Sequence, residues 1–419
     1  MSINVLHTNK IGLIGIRGLS VLAKFIFTVL FFRYSEATFG EYSLVATTII
    51  LLVFVLGFDF YSYANRAVLE PLSNTQKIIF NQFGLYLILY IILAPLIYFI
   101  FKFENFDTKY LLLFYLVLIT EHLNTEFYRL LFVFKKPFSA NINLFLRNGL
   151  WVIIASVYIF LYQKIDIQKI LFLWLSGNII ALIYSMIISF NKRNKIDLTN
   201  FKWDKKWIST GIVISLPYIL STVSFKIIEF SDRYMIDYFM DKKAVGIYSF
   251  FANMANVLNI VLFTVVISVL YPVLVENIMQ NNKDKFQQIF RQFKKEIHLY
   301  AWGMIVILSI ALPLILVFIQ KDIYLKDYYV FILLLAANYL LNISYIYHFV
   351  IYAYKKDLKI LKATFAGAII NIVLNLILIP VAGIAGAAIA TIIAFALILL
   401  LKNIDAQKYL GSVDEFSNV

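Results

Sequence analysis

Charged side chains interrupt the apolar runs of this chain, and their types suit the binding of an anion. The basic residues within or at the ends of those runs are Arg17, Lys24, Arg129, Arg147, Lys226 and Arg233. A guanidinium group presents paired, planar donors that match the oxygens of a phosphate. We therefore predict a site for a phosphate-bearing or anionic ligand, with these residues as its members: Arg17, Lys24, Arg129, Arg147 and Lys226.

Acidic side chains lie in the same runs. They are Asp59, Glu121, Glu126, Glu229, Asp232 and Asp237. A charge at the centre of a bilayer costs at least about 2.5–3.5 kcal/mol, so this many charges predict a polar interior. We predict that the six acids, together with Arg233, serve in gating or in coupling to H⁺ or Na⁺.

Helical spacing leaves a second interpretation open for most of these charges. One run carries charges at i, i+3, i+7 and i+11, and neighbours on that face have opposite signs: Lys226, Glu229, Arg233 and Asp237. Such pairs suit either a gate or contacts that only fix helix packing. The same holds for Arg129, which follows Glu126 by three positions. Arg17 and Lys24 have no acid in their own run, which favours a binding role.

The runs that carry these residues are long enough to cross a membrane. The chain is 62% hydrophobic and only 15% charged, and about 20 apolar residues span a bilayer as a helix. We predict an all-α integral membrane protein with about twelve spans, at 11–32, 42–65, 78–101, 110–134, 141–162, 168–190, 208–238, 245–275, 297–319, 328–354, 360–380 and 383–402.

The positions of lysine and arginine predict the orientation of these spans. With both termini in the cytoplasm, basic residues outside the spans favour the inner side by more than two to one. This orientation puts Arg17, Asp59, Arg129 and Arg147 in the cytoplasmic third of the membrane. We predict an N-terminal lobe at 1–190, a basic cytoplasmic linker at 191–207, a C-terminal lobe at 208–402 and a cytoplasmic tail at 403–419.

Several function classes lack their sequence signals. The chain has no cysteine, which excludes disulfides and thiolate metal sites. Motifs for ATP binding, zinc proteases and serine hydrolases are also absent. The predicted outer loops are short, which argues against a polymerase or another membrane enzyme. We predict no metal and no cofactor, and the net charge of +13 needs no nucleic-acid partner because the inner-side bias explains it.

A short pattern recurs half a chain apart. Gly40-Glu41-Tyr42-Ser43 returns as Gly246-Ile247-Tyr248-Ser249, and each copy opens the second span of its half. Two related halves with a substrate site between them are typical of many transporters. The spacing therefore predicts two six-helix lobes related by a pseudo-two-fold around a central cavity.

Three stretches resemble bacterial polysaccharide flippases of the multidrug/oligosaccharidyl-lipid/polysaccharide (MOP) exporter superfamily. The ending from Asn371 through Asn375, Pro380, Gly383 and Gly386 to Thr391 looks like their N-x-x-x-N…IP-x-x-GI-x-GAA-x-AT pattern. Asp232-Arg233 followed by Gly246-x-Tyr248-Ser249 looks like their seventh helix and the turn after it, and Phe39-Gly40-x-Tyr42-Ser43 resembles the equivalent early turn.

The resemblance implies a flippase of the bacterial inner membrane. Such proteins move an oligosaccharide linked to a polyprenyl diphosphate, usually undecaprenyl, from the inner to the outer leaflet by alternating access. The oligosaccharide is an O-antigen or capsule repeat unit, and the implied partners are membrane lipid, a polysaccharide polymerase and assembly proteins. The alternatives are an ion-coupled drug or cation exporter of the same superfamily, a membrane polysaccharide polymerase and a scaffold that transports nothing.

Overall fold

The computed structural model describes residues 3–70, 74–104, 106–189, 203–280 and 282–415, and nearly all of them are helical. No strand occurs in these ranges. The α-helices are α1 Ile3–Tyr34, α2 Glu36–Gly57, α3 Tyr61–Leu69, α4 Thr75–Phe103, α5 Leu111–Val133, α6 Pro137–Phe145, α7 Trp151–Tyr162, α8 Ile167–Ser189, α9 Lys205–Phe239, α10 Lys242–Ala255, α11 Val257–Leu262, α12 Ser268–Met279, α13 Lys283–Phe318, α14 Tyr328–Ala353 and α15 Asp357–Glu415.

The all-α membrane fold predicted from the sequence is confirmed. Within the described ranges, 10 helical segments are long and apolar enough to cross a membrane. Two further predicted spans are also helices: α5, which carries Glu121, Glu126 and Arg129, and the second half of α15. The predicted span 42–65 is wrong in one respect, because the backbone breaks at Phe58 and Asp59, where φ is 51° and 47°.

Helix α15 is a hairpin of two spans. Gly383 has a φ of 57° and a ψ of −138°, which ends one helix and begins the next; a positive φ is easiest for glycine. On the two arms, Lys359 Nζ lies 3.1 Å from Asp405 Oδ1, and a Cβ at Gly367 would lie 2.6 Å from Ile398. In each pair the two residue numbers have their midpoint near 382, next to the turn at Gly383. The two arms are therefore antiparallel.

The chain divides into two compact units. Unit 1 comprises Met1–Thr38 and Val45–Ile219, and unit 2 comprises Phe39–Leu44 and Leu220–Val419. The first half of α9 therefore belongs to unit 1 and the second half to unit 2. Most of the predicted linker, residues 191–202, lies outside the described residues, as do residues 416–419 of the predicted tail. The lobe boundaries drawn from the sequence stay a prediction.

Asparagine side chains join the helices of unit 1. Asn124 on α5 donates to the carbonyl of Asn178 on α8 at 2.8 Å. Asn143 on α6 donates to Asn124 Oδ1 and to Ser185 Oγ, each at 2.8 Å. These amides are buried, where a polar group needs partners. The ladder therefore holds α5, α6 and α8 in register.

Unit 2 has an asparagine ladder of its own and a small apolar core. Asn259 donates to Asn338 Oδ1 at 2.9 Å, and Asn342 donates to Asn259 Oδ1 at 2.5 Å. The core cluster contains Ile228, Ala337, Leu341, Ala368, Ala394, Phe395 and Ile398. Small residues in this cluster let α9, α14 and both arms of α15 approach closely.

The two G-x-Y-S copies pack against each other within unit 2. A Cβ at Gly40 would overlap the carbonyl oxygen of Lys242 and lie 2.8 Å from the backbone nitrogen of Gly246. Gly40 is thus required by a close backbone approach. The repeated pattern has a direct packing function at this contact.

Candidate functional site

Three of the predicted cations lie near one another in unit 1: Arg17 and Arg147 at Tyr128, and Lys24 near Arg147 and Glu121. Arg17 and Lys24 lie on α1, and Arg147 lies on a π-helical segment, Leu146–Leu150, between α6 and α7. π-Helical turns are rare and occur often at functional sites. We call Arg17, Lys24, Glu121, Tyr128 and Arg147 the Tyr128 cluster.

Arg147 is the most enclosed cation of the Tyr128 cluster. Its Nη1 donates to Thr125 Oγ1 at 2.5 Å and to Glu121 Oε1 at 3.1 Å. Its guanidinium carbon lies 5.8 Å from the centroid of the Tyr128 ring. Only 7% of the residue is exposed, yet Nε has no hydrogen-bond partner among the described residues. One buried donor is therefore left for another acceptor.

Glu121 binds Arg147 to α5 and lies near Lys24. The other carboxylate oxygen of Glu121 accepts a hydrogen bond from Trp174 Nε1 at 3.1 Å. Lys24 interacts electrostatically with both Glu121 and Arg147, while its side chain stays exposed. One acid is thus shared between two cations, which leaves an excess of positive charge.

Arg17 completes the Tyr128 cluster. Its Nε donates to Asn141 Oδ1 at 2.7 Å, and its Nη2 donates to the Tyr128 hydroxyl at 2.9 Å. Arg17 is exposed, and none of these partners is charged. With three cations and one carboxylate, the cluster carries a net charge of +2 and can accept an anion of two or more charges.

Arg129 lies in a second group of unit 1, around Glu126. Arg129 Nη1 lies 2.5 Å from Glu126 Oε1, and its guanidinium carbon stacks 3.6 Å from the ring centroid of Tyr61. The other oxygen of Glu126 accepts from Gln82 and Tyr86, each at 2.9 Å. Arg129 is therefore locally neutralised, in line with the packing interpretation.

Asp59 and His122 border this second group. Asp59 is buried and interacts electrostatically with both Glu126 and Arg129. His122 Nδ1 lies 2.6 Å from the Tyr90 hydroxyl. His122 Nε2 is 3.9 Å from Glu126 Oε1, too far for a hydrogen bond, and has no such partner among the described residues.

The predicted residues of α9 from Lys226 onward belong to unit 2. Lys226 Nζ lies 2.6 Å from Glu229 Oε2, so this predicted ligand-binding cation has an acid beside it. Asp237 is half-buried and interacts electrostatically with Lys242 and Asp241. The predicted ligand set is thus divided: Arg17, Lys24 and Arg147 share one cluster, whereas Arg129 and Lys226 each contact their own carboxylate.

Asp232 and Arg233 form a closed network in unit 2. Arg233 Nε donates to Ser249 Oγ at 3.2 Å, and Nη1 donates to the carbonyl of Glu229 at 2.7 Å. The Tyr248 hydroxyl donates to Asp232 Oδ2 and also interacts with Thr391. Two of the stretches that carry the family resemblance, Asp232–Ser249 and the ending with Thr391, therefore contact each other at this point.

Sequence reasoning missed the neutral members of both groups in unit 1. Tyr128 and Thr125 follow Glu121 by seven and four positions and so share its helix face, a signal present in the sequence. Asn141, Trp174, Gln82 and Tyr86 come from other helices, and no local pattern points to them. Among the residues that the structure describes, no group of three or more histidine or acidic side chains could hold a metal ion.

This arrangement of helices matches transporters of known structure. One match is described as the inward-facing conformation of a multidrug resistance MATE family transporter of the MOP superfamily. It has a TM-score of 0.80 and 12% identity, and the match covers 94% of this chain and 96% of that chain. The chain therefore shares the fold of this transporter.

A second match comes from Pyrococcus furiosus. Its description reads "Reverse polarity of binding pocket suggests different function of a MOP superfamily transporter". The TM-score is 0.67 at 13% identity, covering 96% of this chain and 95% of that chain. No match was found among curated proteins.

Sequence similarity identifies the family. The profile described as "Polysaccharide biosynthesis protein" matches residues 7–278, which is more than half of the chain. The chain belongs to this family. Family, fold and the apolar helices together support a multi-pass membrane transporter or flippase.

Proposed function

We propose that this protein is a flippase for a lipid-linked oligosaccharide. The substrate would be an O-antigen or capsule repeat unit on a polyprenyl diphosphate, moved by alternating access from the inner to the outer leaflet of the bacterial inner membrane. The observation that carries this proposal is the Tyr128 cluster, with its net charge of +2 and the unpartnered Arg147 Nε. Family membership supports polysaccharide assembly as the setting.

The chemistry of the Tyr128 cluster suits a diphosphate. Arg17 binds the Tyr128 hydroxyl and Arg147 lies near the Tyr128 ring, so each guanidinium group is proposed to pair with a different phosphoryl group. Lys24 adds an exposed ammonium, which binds phosphate as a point charge. Electrostatic pairing of this kind orients a headgroup while the lipid chain stays in the bilayer.

Drug export remains the alternative. One matched structure is described as a multidrug resistance transporter, but a site for cationic drugs would need acids in excess, and the Tyr128 cluster has one acid for three cations. The Pyrococcus furiosus description, with its reversed pocket polarity, is a precedent for different pocket charges on this fold. The charge of the cluster therefore favours an anionic substrate.

We further propose that an ion gradient drives the cycle. The candidates for coupling in unit 1 are Asp59, Glu121 and Glu126. Glu126 is buried, and His122 lies between it and Tyr90, so we propose these buried polar side chains as the place where a coupling ion would bind. The acids of α9, with Arg233, are proposed to gate the transporter.

Reconstitution tests the proposal against its alternative. The purified chain would be placed in vesicles with a fluorescent undecaprenyl-diphosphate oligosaccharide, and translocation would be followed by quenching from outside. We expect this lipid to cross the bilayer and a cationic dye to stay. Dye transport without movement of the lipid would establish the drug exporter, and a polymerised product in the vesicles would establish the polymerase.

A further inference from the structure

A separate cavity lies in unit 1 between α3 and the first half of α9. Its volume is about 330 Å³, and its lining includes Ser62, Tyr63, Arg66, Glu70, Trp207 and Tyr218. Small-molecule sites begin at about 300 Å³, so the space suits one monosaccharide-sized group. None of these residues belongs to the Tyr128 cluster.

The aromatic wall of this cavity is held in place by close packing. The rings of Tyr63 and Trp207 are 5.0 Å apart, and Phe60 contacts both rings edge-on. A Cβ at Gly211 would lie 2.5 Å from Phe60 and 2.6 Å from Tyr63, so α9 can approach α3 only with glycine at this position.

The polar residues of the cavity include Arg66, which forms no ion pair with any described residue. Arg66 is exposed, and in the described part of the chain no carboxylate lies within ion-pair distance of it. Glu70 and the Ser62 hydroxyl lie in the same lining. Arginine pairs with carboxylates through two parallel hydrogen bonds. A glutamate carboxylate accepts hydrogen bonds from hydroxyl groups, and a serine hydroxyl can donate or accept them.

We propose that the cavity binds an acidic monosaccharide unit, of the hexuronate class, in the transported glycan. Trp207, Tyr63 and Tyr218 present ring surfaces to the apolar face of the pyranose, Arg66 pairs with the sugar carboxylate, and Glu70 and Ser62 contact its hydroxyls. The proposal rests on the proposed flippase function. On the predicted orientation Arg66 is cytoplasmic, so the cavity meets the glycan before translocation.

Saturation-transfer NMR on the full chain in lipid nanodiscs tests this site, with sodium glucuronate, glucose and sn-glycerol 3-phosphate as probes. We expect glucuronate to bind more tightly than the other two. Arg66→Gln should weaken glucuronate binding about tenfold, which is the loss of one favourable pairing. The matched control is Lys356→Gln, which removes an exposed basic residue of unit 2 and should leave binding unchanged.

Three outcomes would overturn the proposal. They are no binding of glucuronate, equal binding by wild type and Arg66→Gln, and tighter binding of glycerol phosphate, which would make the cavity a site for a phospholipid headgroup. Vesicle translocation separates this proposal from the flippase function. If only the cavity proposal fails, Arg66→Gln moves acidic and neutral lipid-linked glycans as wild type does; if the flippase proposal fails, neither glycan moves with wild type.

Discussion

The charged residues of α9 in unit 2 and those of the Tyr128 cluster in unit 1 are of the same types but differ in their pairing. The α9 charges have partners of opposite sign, whereas the Tyr128 cluster has more cations than acids. In unit 2, Lys226 contacts Glu229, and Asp232, Arg233, Tyr248 and Ser249 contact one another. In the Tyr128 cluster, Arg147 and Lys24 share the acid Glu121, whereas Arg17 has only neutral partners; Arg17 and Lys24 are exposed. Complementary pairing indicates packing, whereas excess charge of one sign on accessible side chains indicates a ligand. Mutations that separate stability from transport can test this difference.

The largest effect is expected from Asp232→Ala in unit 2. This change leaves the buried Arg233 without its neighbouring carboxylate and removes the hydrogen-bond acceptor of the Tyr248 hydroxyl. The free energy of unfolding should fall by about 3–5 kcal/mol. Thermal unfolding in detergent measures the loss. The matched control is Asp237→Asn, on the same helix but half-buried, which should change the midpoint little. Normal stability of Asp232→Ala would contradict the stabilising role of this network, and abolished transport in such a stable variant would leave only its proposed gating role.

Gly40→Ala is expected to have the next largest effect. The added Cβ would overlap the carbonyl of Lys242, and overpacking of this kind typically costs about 1–3 kcal/mol. Gly18→Ala in α1 is the control, because nothing lies within 4 Å of its Cβ position and alanine favours helix. Equal unfolding midpoints for both variants would show that the contact between the two G-x-Y-S copies is loose.

Arg17→Gln should affect transport without affecting stability. The residue is exposed and its hydrogen-bond partners are neutral, so unfolding should shift by less than about 0.5 kcal/mol. Loss of one phosphate-pairing cation should lower translocation of the lipid-linked oligosaccharide about tenfold. Lys356→Gln again serves as the control in the same vesicle assay. Wild-type translocation by Arg17→Gln would favour packing as the role of this cation.

The smallest effect is expected at the ion pair between Lys77 and Asp204, 2.7 Å apart at the surface of unit 1. The hydrogen bond from Lys77 lowers the pKa of Asp204 below its usual value. A lowered folded-state pKa contributes stability above the unfolded pKa of about 3.9, and this contribution disappears as the pH falls through the folded value. Lys77→Ala should therefore lower the midpoint slightly at pH 7 and not at pH 2. An equal difference at both pH values would contradict this assignment.

The membrane helices were predictable from the sequence, while most contacts of the candidate site were not. Apolar runs and their lengths identify the spans because the bilayer allows few other structures. The break at Phe58 and Asp59 was missed, since two non-glycine residues with positive φ follow from tertiary packing. The π-helical turn at Arg147 also has no simple sequence signal.

Charge pairing was predictable only where both partners lie on one helix. The pairs of Lys226 with Glu229 and of Arg129 with Glu126 follow from a spacing of three residues. The pair of Arg147 with Glu121 joins two helices, and helical periodicity carries no information about such contacts. The sequence therefore predicted which charged residues lie at a similar depth in the membrane. The structure shows which of these residues contact one another.

The most direct test of the account is lipid binding by the Tyr128 cluster. Native mass spectrometry of the purified chain would compare undecaprenyl diphosphate with undecaprenol, for wild type and for Arg147→Lys, which keeps the charge but removes the planar donors. We predict that wild type prefers the diphosphate by at least about tenfold and that Arg147→Lys loses most of this preference. Equal binding of the two lipids by wild type would contradict the account.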